Sequence, residues 1–377
     1  MNQPLHTDAL READRLMTIC NACRYCEGLC AVFPAMEMRR TFAAGDLNYL
    51  ANLCHQCGAC YPDCQYAPPH QFEVNVPAAL AKLRNESYAA YAWPRAFAGA
   101  FERNGLVIAL AAAASVAAFI IGFAALADRS ALFGANAGDF YRLMPHRAMV
   151  ALFGAAALYA LIALAMGMAA FWRAGNAQDP RIGPRIGPRI GPLAILRALH
   201  DSFTLRYLGG GGGGCTSENE KPSAARRHAH HATFYGFLLC FASTCVATLY
   251  HYVWHWPAPY PLLSLPVVLG TLGGLGLLAG PLGLFMLARK REAKLTDPAH
   301  RGMDTAFIAM LFLTGLTGLA LLAVRDTPAM GILLAVHLGL VLALFLTMPY
   351  GKFVHGLYRF LALVKYAAER RRGTFVE

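Results

Sequence analysis

From about residue 105 onward the chain is a succession of apolar runs, and each is long enough to cross a hydrocarbon core of ~30 Å, which takes about 20 helical residues. Six runs stand out, at about 105–127, 147–172, 232–254, 262–288, 302–324 and 329–349. The fourth is rich in glycine and holds a proline (LGTLGGLGLLAGPLGLFML), the pattern of a bent helix in close contact with its neighbours. The first hundred residues are patterned differently. Leu47, Leu50 and Leu53 recur at helical spacing, and Asp46 after Gly45 is a candidate N-cap. VPAALAKLRNESYAAYAW then reads as a helix leading to the membrane. The expected fold is mainly α: a small helical domain over residues 1–100, then a six-helix transmembrane bundle over 101–377.

The segments between the runs set an orientation. Lys and Arg number nine in 173–230, five in 289–301 and six in 350–377, against two in 128–146, none in 255–261 and one in 325–328. The positive-inside rule therefore puts both termini in the cytoplasm and makes this a multi-pass protein of the inner membrane. The inner segment 173–230 contains three copies of Arg-Ile-Gly-Pro (181–192) and a run of six glycines (209–214), and reads as a flexible loop. Hydrophobic residues make up 57% of the chain and charged ones 15%, which fits a membrane protein. The net charge of +11 lies beside the apolar runs, so nucleic acid is not the expected partner.

Eight of the eleven cysteines fall between residues 20 and 64. Residues 1–19 carry acidic side chains and no apolar h-region, so the domain is expected in the reducing cytoplasm, where dense cysteines bind metal. Cys20-x2-Cys23-x2-Cys26-x3-Cys30 and Cys54-x2-Cys57-x2-Cys60-x3-Cys64 each have the bacterial ferredoxin spacing, in which the fourth thiolate reaches the other cluster. Two [4Fe–4S] clusters are implied, one on Cys20, Cys23, Cys26 and Cys64, the other on Cys54, Cys57, Cys60 and Cys30. Zinc sites pair cysteines across a longer gap and match less well. Ala31 and Gln65 replace the usual following proline, which argues against a minimal ferredoxin fold. His55 and His70 are expected as hydrogen-bonding neighbours, and Cys215 as a free thiol. Cys240 and Cys245 are expected to be packing residues.

Electrons leaving such clusters for the membrane commonly step onto b-type haem held by two histidines. His337 lies deep within an apolar run, where an ionisable residue needs a partner or a function. His337 and His355 are 18 residues apart, or five helical turns, which puts them on one face. The third run carries His230 and His231 at its inner end and His251 at its outer end. One or two haems are therefore expected, with His230 or His231 pairing His355 on the inside and His251 pairing His337 outside. His146 is a rival outer ligand or a quinone contact. Arg325, Asp326 and Lys352 are lesser quinone candidates, and His228, His255 and His300 are expected to anchor helix ends.

HLGLVLALFLTMPYGKFVHGLYR resembles the last helix of nitrate-reductase gamma-type cytochrome b subunits. Nearly the whole chain more closely resembles the tricarballylate (citrate) utilisation protein B family. The likeness rests on CNACRYCEGLC, CHQCGACYPDC, DFYRLMPHRAM, LRYLGGGGGGC and HHATFYGFLLCFASTCVATLYHY followed by PAPYPLLSLPVVLGTLGG. The resemblance implies an electron-transfer protein beside an FAD-dependent dehydrogenase of tricarballylate or a related acid. Electrons would pass from flavin through the clusters and haem to quinone. No glycine loop of the nucleotide-binding kind is found here, so the FAD is expected on the partner. A subunit of a heterodisulfide- or sulfite-reductase-like complex is the alternative, and a transport accessory protein a more distant one.

Overall fold

A computed structural model describes residues 7–127, 129–176, 190–216 and 220–370. Among them the regular structure is helical, with one isolated bridge between Cys215 and Ser223. The copies of Arg-Ile-Gly-Pro lie almost wholly outside the described residues.

The N-terminal domain is built from α1 (Asp8–Cys23), α2 (Val32–Glu37), α3 (Ala44–Leu53) and α4 (Val76–Ala90). Thr7 caps α1 by accepting from Leu10 N–H, and Leu10, Ala13, Leu16 and Met17 make the buried stripe. Arg24 closes the helix in the left-handed region, its N–H donating to Cys20 O. Asn75 caps α4 in the same way as Thr7 caps α1, accepting from Ala78 N–H. Asp46 is not the N-cap of α3. The helix starts two residues earlier, and the Asp46 carboxylate reaches back to accept from Ala43 N–H at 3.1 Å. The same carboxylate holds Arg39 at 2.8 Å.

The membrane domain consists of α5 (Asn104–Leu126), a short α6 (Arg129–Phe133), α7 (His146–Asn176), α8 (Pro192–Phe203), α9 (Ala225–Tyr252), α10 (Leu265–Lys290), α11 (Arg301–Val324), α12 (Met330–Thr347) and α13 (Val354–Arg370). Six of these, α5, α7, α9, α10, α11 and α12, are long and apolar enough to span a bilayer, matching the six expected runs. Their outward faces carry Leu106, Leu110, Ile121, Leu158, Leu161 and Phe241, as a lipid-facing surface should. This is a membrane protein.

Lipid offers no hydrophobic drive for helix association, so close backbone approach must supply it. Glycine provides that approach between α9 and α10. A Cβ on Gly276 would lie 2.8 Å from Ala232 O and 2.9 Å from Gly236 Cα. Gly276→Leu should therefore force the two helices apart and cost about 1–3 kcal/mol or more through overpacking. We expect a lowered apparent Tm in detergent for Gly276→Leu and none for Gly154→Leu, whose Cβ would meet nothing within 4 Å. Equal behaviour of the two variants would show that the crossing is looser than this.

Two expectations fail here. The last apolar run does not continue as one helix through His355. α12 ends at Thr347, a single turn covers Met348–Tyr350, and Gly351 is extended before α13 begins. The shared face of His337 and His355 disappears with the continuous helix. α13 is amphipathic and returns to the N-terminal domain, packing on α3 and α8. Nor is 173–230 loop throughout: α8 occupies part of it, and the glycine run is packed into the N-terminal domain.

Candidate metal centres

Each cysteine motif is wound by local backbone features. Cys20 and Cys23 sit in the last turn of α1, and the left-handed Arg24 turns the chain back so that Cys26 follows on the same side. Cys54 caps α3, after which Gln56 and Gly58 take positive φ (54° and 83°) and curl Cys57 and Cys60 inward.

The eight thiols divide between two cavities. One, of about 250 Å³, is lined by Cys20, Cys23, Cys26 and Cys64. The other, of about 20 Å³, is lined by Cys30, Cys54, Cys57 and Cys60. The fourth cysteine of each motif thus crosses to the other's cavity, as the ferredoxin spacing leads one to expect. Among the described residues no three Cys, His, Asp or Glu side chains close around a single ion. The thiols of the first set surround a volume instead, which suits a cluster, while those of the second converge on a much smaller space. Burial, reinforced by the neighbouring thiols, pushes Cys20 up to about 12 and Cys26 up to about 11. Burial pushes Cys57 up to about 11 and raises Cys30 and Cys60 further. Such groups become thiolates only beside a strong cationic centre, and bound iron supplies one.

The two cavities differ in cover. The first opens beside Tyr25, which is 72% exposed. The second is roofed by the glycine run. A Cβ on Gly210 would come 2.9 Å from Ala59 Cβ, and one on Gly211 3.3 Å from Leu29 Cα. Thr216 N–H donates to Cys57 O at 2.9 Å. Only residues without side chains can lie this close over the thiol loop. Cys215 is a free thiol, as expected, but a buried one whose Sγ donates to Leu208 O.

Arginines join the second cavity to the bundle. Arg84 donates to Cys54 O and Gln56 Oε1, Arg359 of α13 to Cys54 O at 2.9 Å, and Arg226 of α9 to Gln56 O at 2.5 Å. His55 lies on this loop with Nδ1 bonded to Leu53 O, and burial holds it neutral. His70 Nδ1 accepts from Phe72 N–H.

Arg226 and Arg359 each stand one turn from a histidine on their own helix, His230 and His355. The ring centroids of His230 and His355 lie 6.1 Å apart, with the ring planes inclined at 70°. Two axial imidazoles across one metal should stand about 6 Å apart, with bonds of about 2 Å and about 1 Å from each nitrogen to its ring centre. His355 Nδ1 donates to Lys352 O, which leaves Nε2 free as an acceptor. Burial and the nearby Arg359 and Lys352 hold His355 neutral. His230 Nδ1 is buried without a partner. The donors and the spacing fit a haem held between them. His231 points away from this pair, toward Tyr235.

The outer pair is not the one expected. His251 stacks on His146 at 3.9 Å and 19°, beside Tyr141 and Tyr252. Stacked rings at that separation leave no room for a metal between them. His337 turns to α11 instead, its Nδ1 bonded to Thr317 Oγ1 at 2.9 Å. The reason is the packing order: α12 lies against α5, α7 and α11, whereas α9 lies against α10. His300 is held by Asp297 at 2.7 Å. Arg325 donates to Tyr260 O, and Lys352 pairs with Asp304, so both have structural partners. Cys240 packs beside Gly273 in the α9–α10 crossing, and Cys245 is exposed.

Sequence reasoning missed the bridging arginines and the glycine roof. The R-x3-H and H-x3-R spacings at Arg226–His230 and His355–Arg359 were the available signal for the former.

Residues 99–375 match the family described as Citrate utilization protein B, and residues 13–90 match that protein's Fer4-like domain. A Citrate utilization protein B from Escherichia coli is 51% identical over 368 residues, covering 97% of this chain and 94% of the relative. No solved structure matches the chain. With helical architecture, paired four-thiol cavities and full-length likeness in agreement, the chain belongs to the citrate utilization protein B family.

Proposed function

We propose that this protein carries electrons from the reduced FAD of a partner dehydrogenase to membrane quinone. Cys20, Cys23, Cys26 and Cys64 would hold one [4Fe–4S] cluster, and Cys30, Cys54, Cys57 and Cys60 a second. His230 and His355 would hold haem b. These groups supply one-electron storage at successive positions along the chain. The observation that carries this reading is the link from the second thiol cavity to the histidine pair through Arg226 and Arg359.

The residues give the route a direction. The open first cavity suits docking of a partner. The roofed second cavity buries Cys54 and Cys57 and sits against the bundle. Arg84, Arg226 and Arg359 place positive charge beside it, which favours the reduced state there. The Lys and Arg distribution supports a cytoplasmic position for the cluster domain, on the inner face of the cell membrane. The family name speaks of citrate utilization, and the partner in this reading is a dehydrogenase of tricarballylate, citrate or a related acid.

Anaerobically purified protein should show b-haem bands and cluster EPR signals on adding dithionite. His355→Ala should abolish the low-spin bands and leave iron–sulfur EPR intact. His337→Ala should leave both in place. Parent protein carrying clusters but no haem would sink the histidine assignment and leave a cluster-bearing membrane anchor.

A further inference from the structure

The mouth of the bundle holds more positive charge than its neighbours neutralise. Arg84, Arg226, Arg291 and Arg359 come from α4, α9, the end of α10 and α13, and they act on one another across this space. The carboxylate facing them is Asp304, which is already paired with Lys352 at 2.7 Å. Arg84, only 3% exposed, is spent on the Cys54–Gln56 loop. Arg226 and Arg359 each give the loop one hydrogen bond, and Arg359 Nε is buried with no partner. The crowding is strong enough that Arg226, followed by burial, pushes Arg291 down to about 9. Buried charge of one sign is costly unless an opposite charge is brought to it.

Helix register says where that opposite charge belongs. Arg226 precedes His230 by one turn of α9, and Arg359 follows His355 by one turn of α13. Both guanidinium groups reach the Cys54–Gln56 loop, so both lie on the same side of the histidine pair, toward the second thiol set. A planar ligand held between the two rings extends sideways from the line joining them, and its rim on this side meets arginine from both helices. We propose that Arg226 and Arg359, assisted by Arg291, bind the two carboxylates of the tetrapyrrole held by His230 and His355. Its carboxylate rim then faces the second thiol set. This rests on the haem reading given above. Arginine is suited to the task, since its fork binds carboxylate bidentately and stays charged under these conditions.

The test uses the full-length chain in detergent, produced in cells blocked in haem synthesis and titrated with haemin or with haemin dimethyl ester. The parent protein should bind haemin at least ~10-fold more tightly than the diester, followed by the low-spin Soret band. The preference should collapse toward unity in Arg226→Gln/Arg359→Gln and persist in Arg226→Lys/Arg359→Lys, with iron content confirming that both variants keep their clusters. Equal affinity of the parent for diacid and diester would overturn the carboxylate assignment while leaving the histidine pair standing. If neither compound gave a low-spin spectrum, the haem reading would fall, and this inference with it.

Discussion

Cys57→Ala should halve the iron and acid-labile sulfide of the purified protein, from about eight to about four atoms of each per chain. Electron transfer to quinone should fall to background. Cys57 is the central thiol of the second cavity, and its carbonyl is the anchor for Thr216. With Cys30, Cys54 and Cys60 alone, the site lacks its fourth thiol ligand. The first set, on Cys20, Cys23, Cys26 and Cys64, shares no thiol with the second and should survive. EPR should then show one cluster free of the line broadening that a close paramagnetic neighbour produces. Iron unchanged, or lost altogether, would contradict the division of thiols between two cavities.

The second large effect concerns attachment of the cluster domain to the rest of the chain. Arg39 is almost wholly buried and bonds Asp46 at 2.8 Å and Glu369 of α13 at 2.7 Å, with Tyr49 under its guanidinium. Tyr49 Oη also donates to Glu369. Arg39→Met would leave two carboxylates in a buried setting without their main cation. Losing one partner of such a pair costs about 3–5 kcal/mol. In a chain of this size that amounts to roughly 5–10 °C in apparent Tm. Adding Glu369→Gln should recover part of the loss, because the single changes are coupled through one contact. A variant melting with the parent, or a double variant showing simple addition, would count against this attachment.

The division of thiols was legible in the cysteine spacing, because three close thiols and a distant fourth can be arranged around two centres in few ways. The six spans were legible because length and hydropathy decide them. The break after Thr347 was not. Hydropathy runs on through Tyr350, and a proline with a glycine close behind it is tolerated in a membrane helix as readily as it ends one. That break governs the site, since it frees α13 to carry His355 and Arg359 back under the cluster domain. Asp46 was placed at the right helix and the wrong position, for an aspartate serves equally as N-cap or as the third residue reaching back. The glycine run looked like a linker because composition cannot distinguish backbone that is bare for freedom from backbone that is bare for contact.

That contact bears on how the protein is assembled and maintained. The roof segment is made long after Cys57, once α5, α7 and α8 have emerged. Until then the second thiol set is open to whatever would deliver iron and sulfide, and afterwards Cys54 and Cys57 are buried and the set is only partly reachable. The first set stays reachable in the finished molecule. Oxidative damage at the outer site can be mended in place, whereas damage beneath the roof requires Gly210, Gly211 and Thr216 to be lifted from the thiol loop first. The lifetime of the working protein is thereby set at its better protected centre.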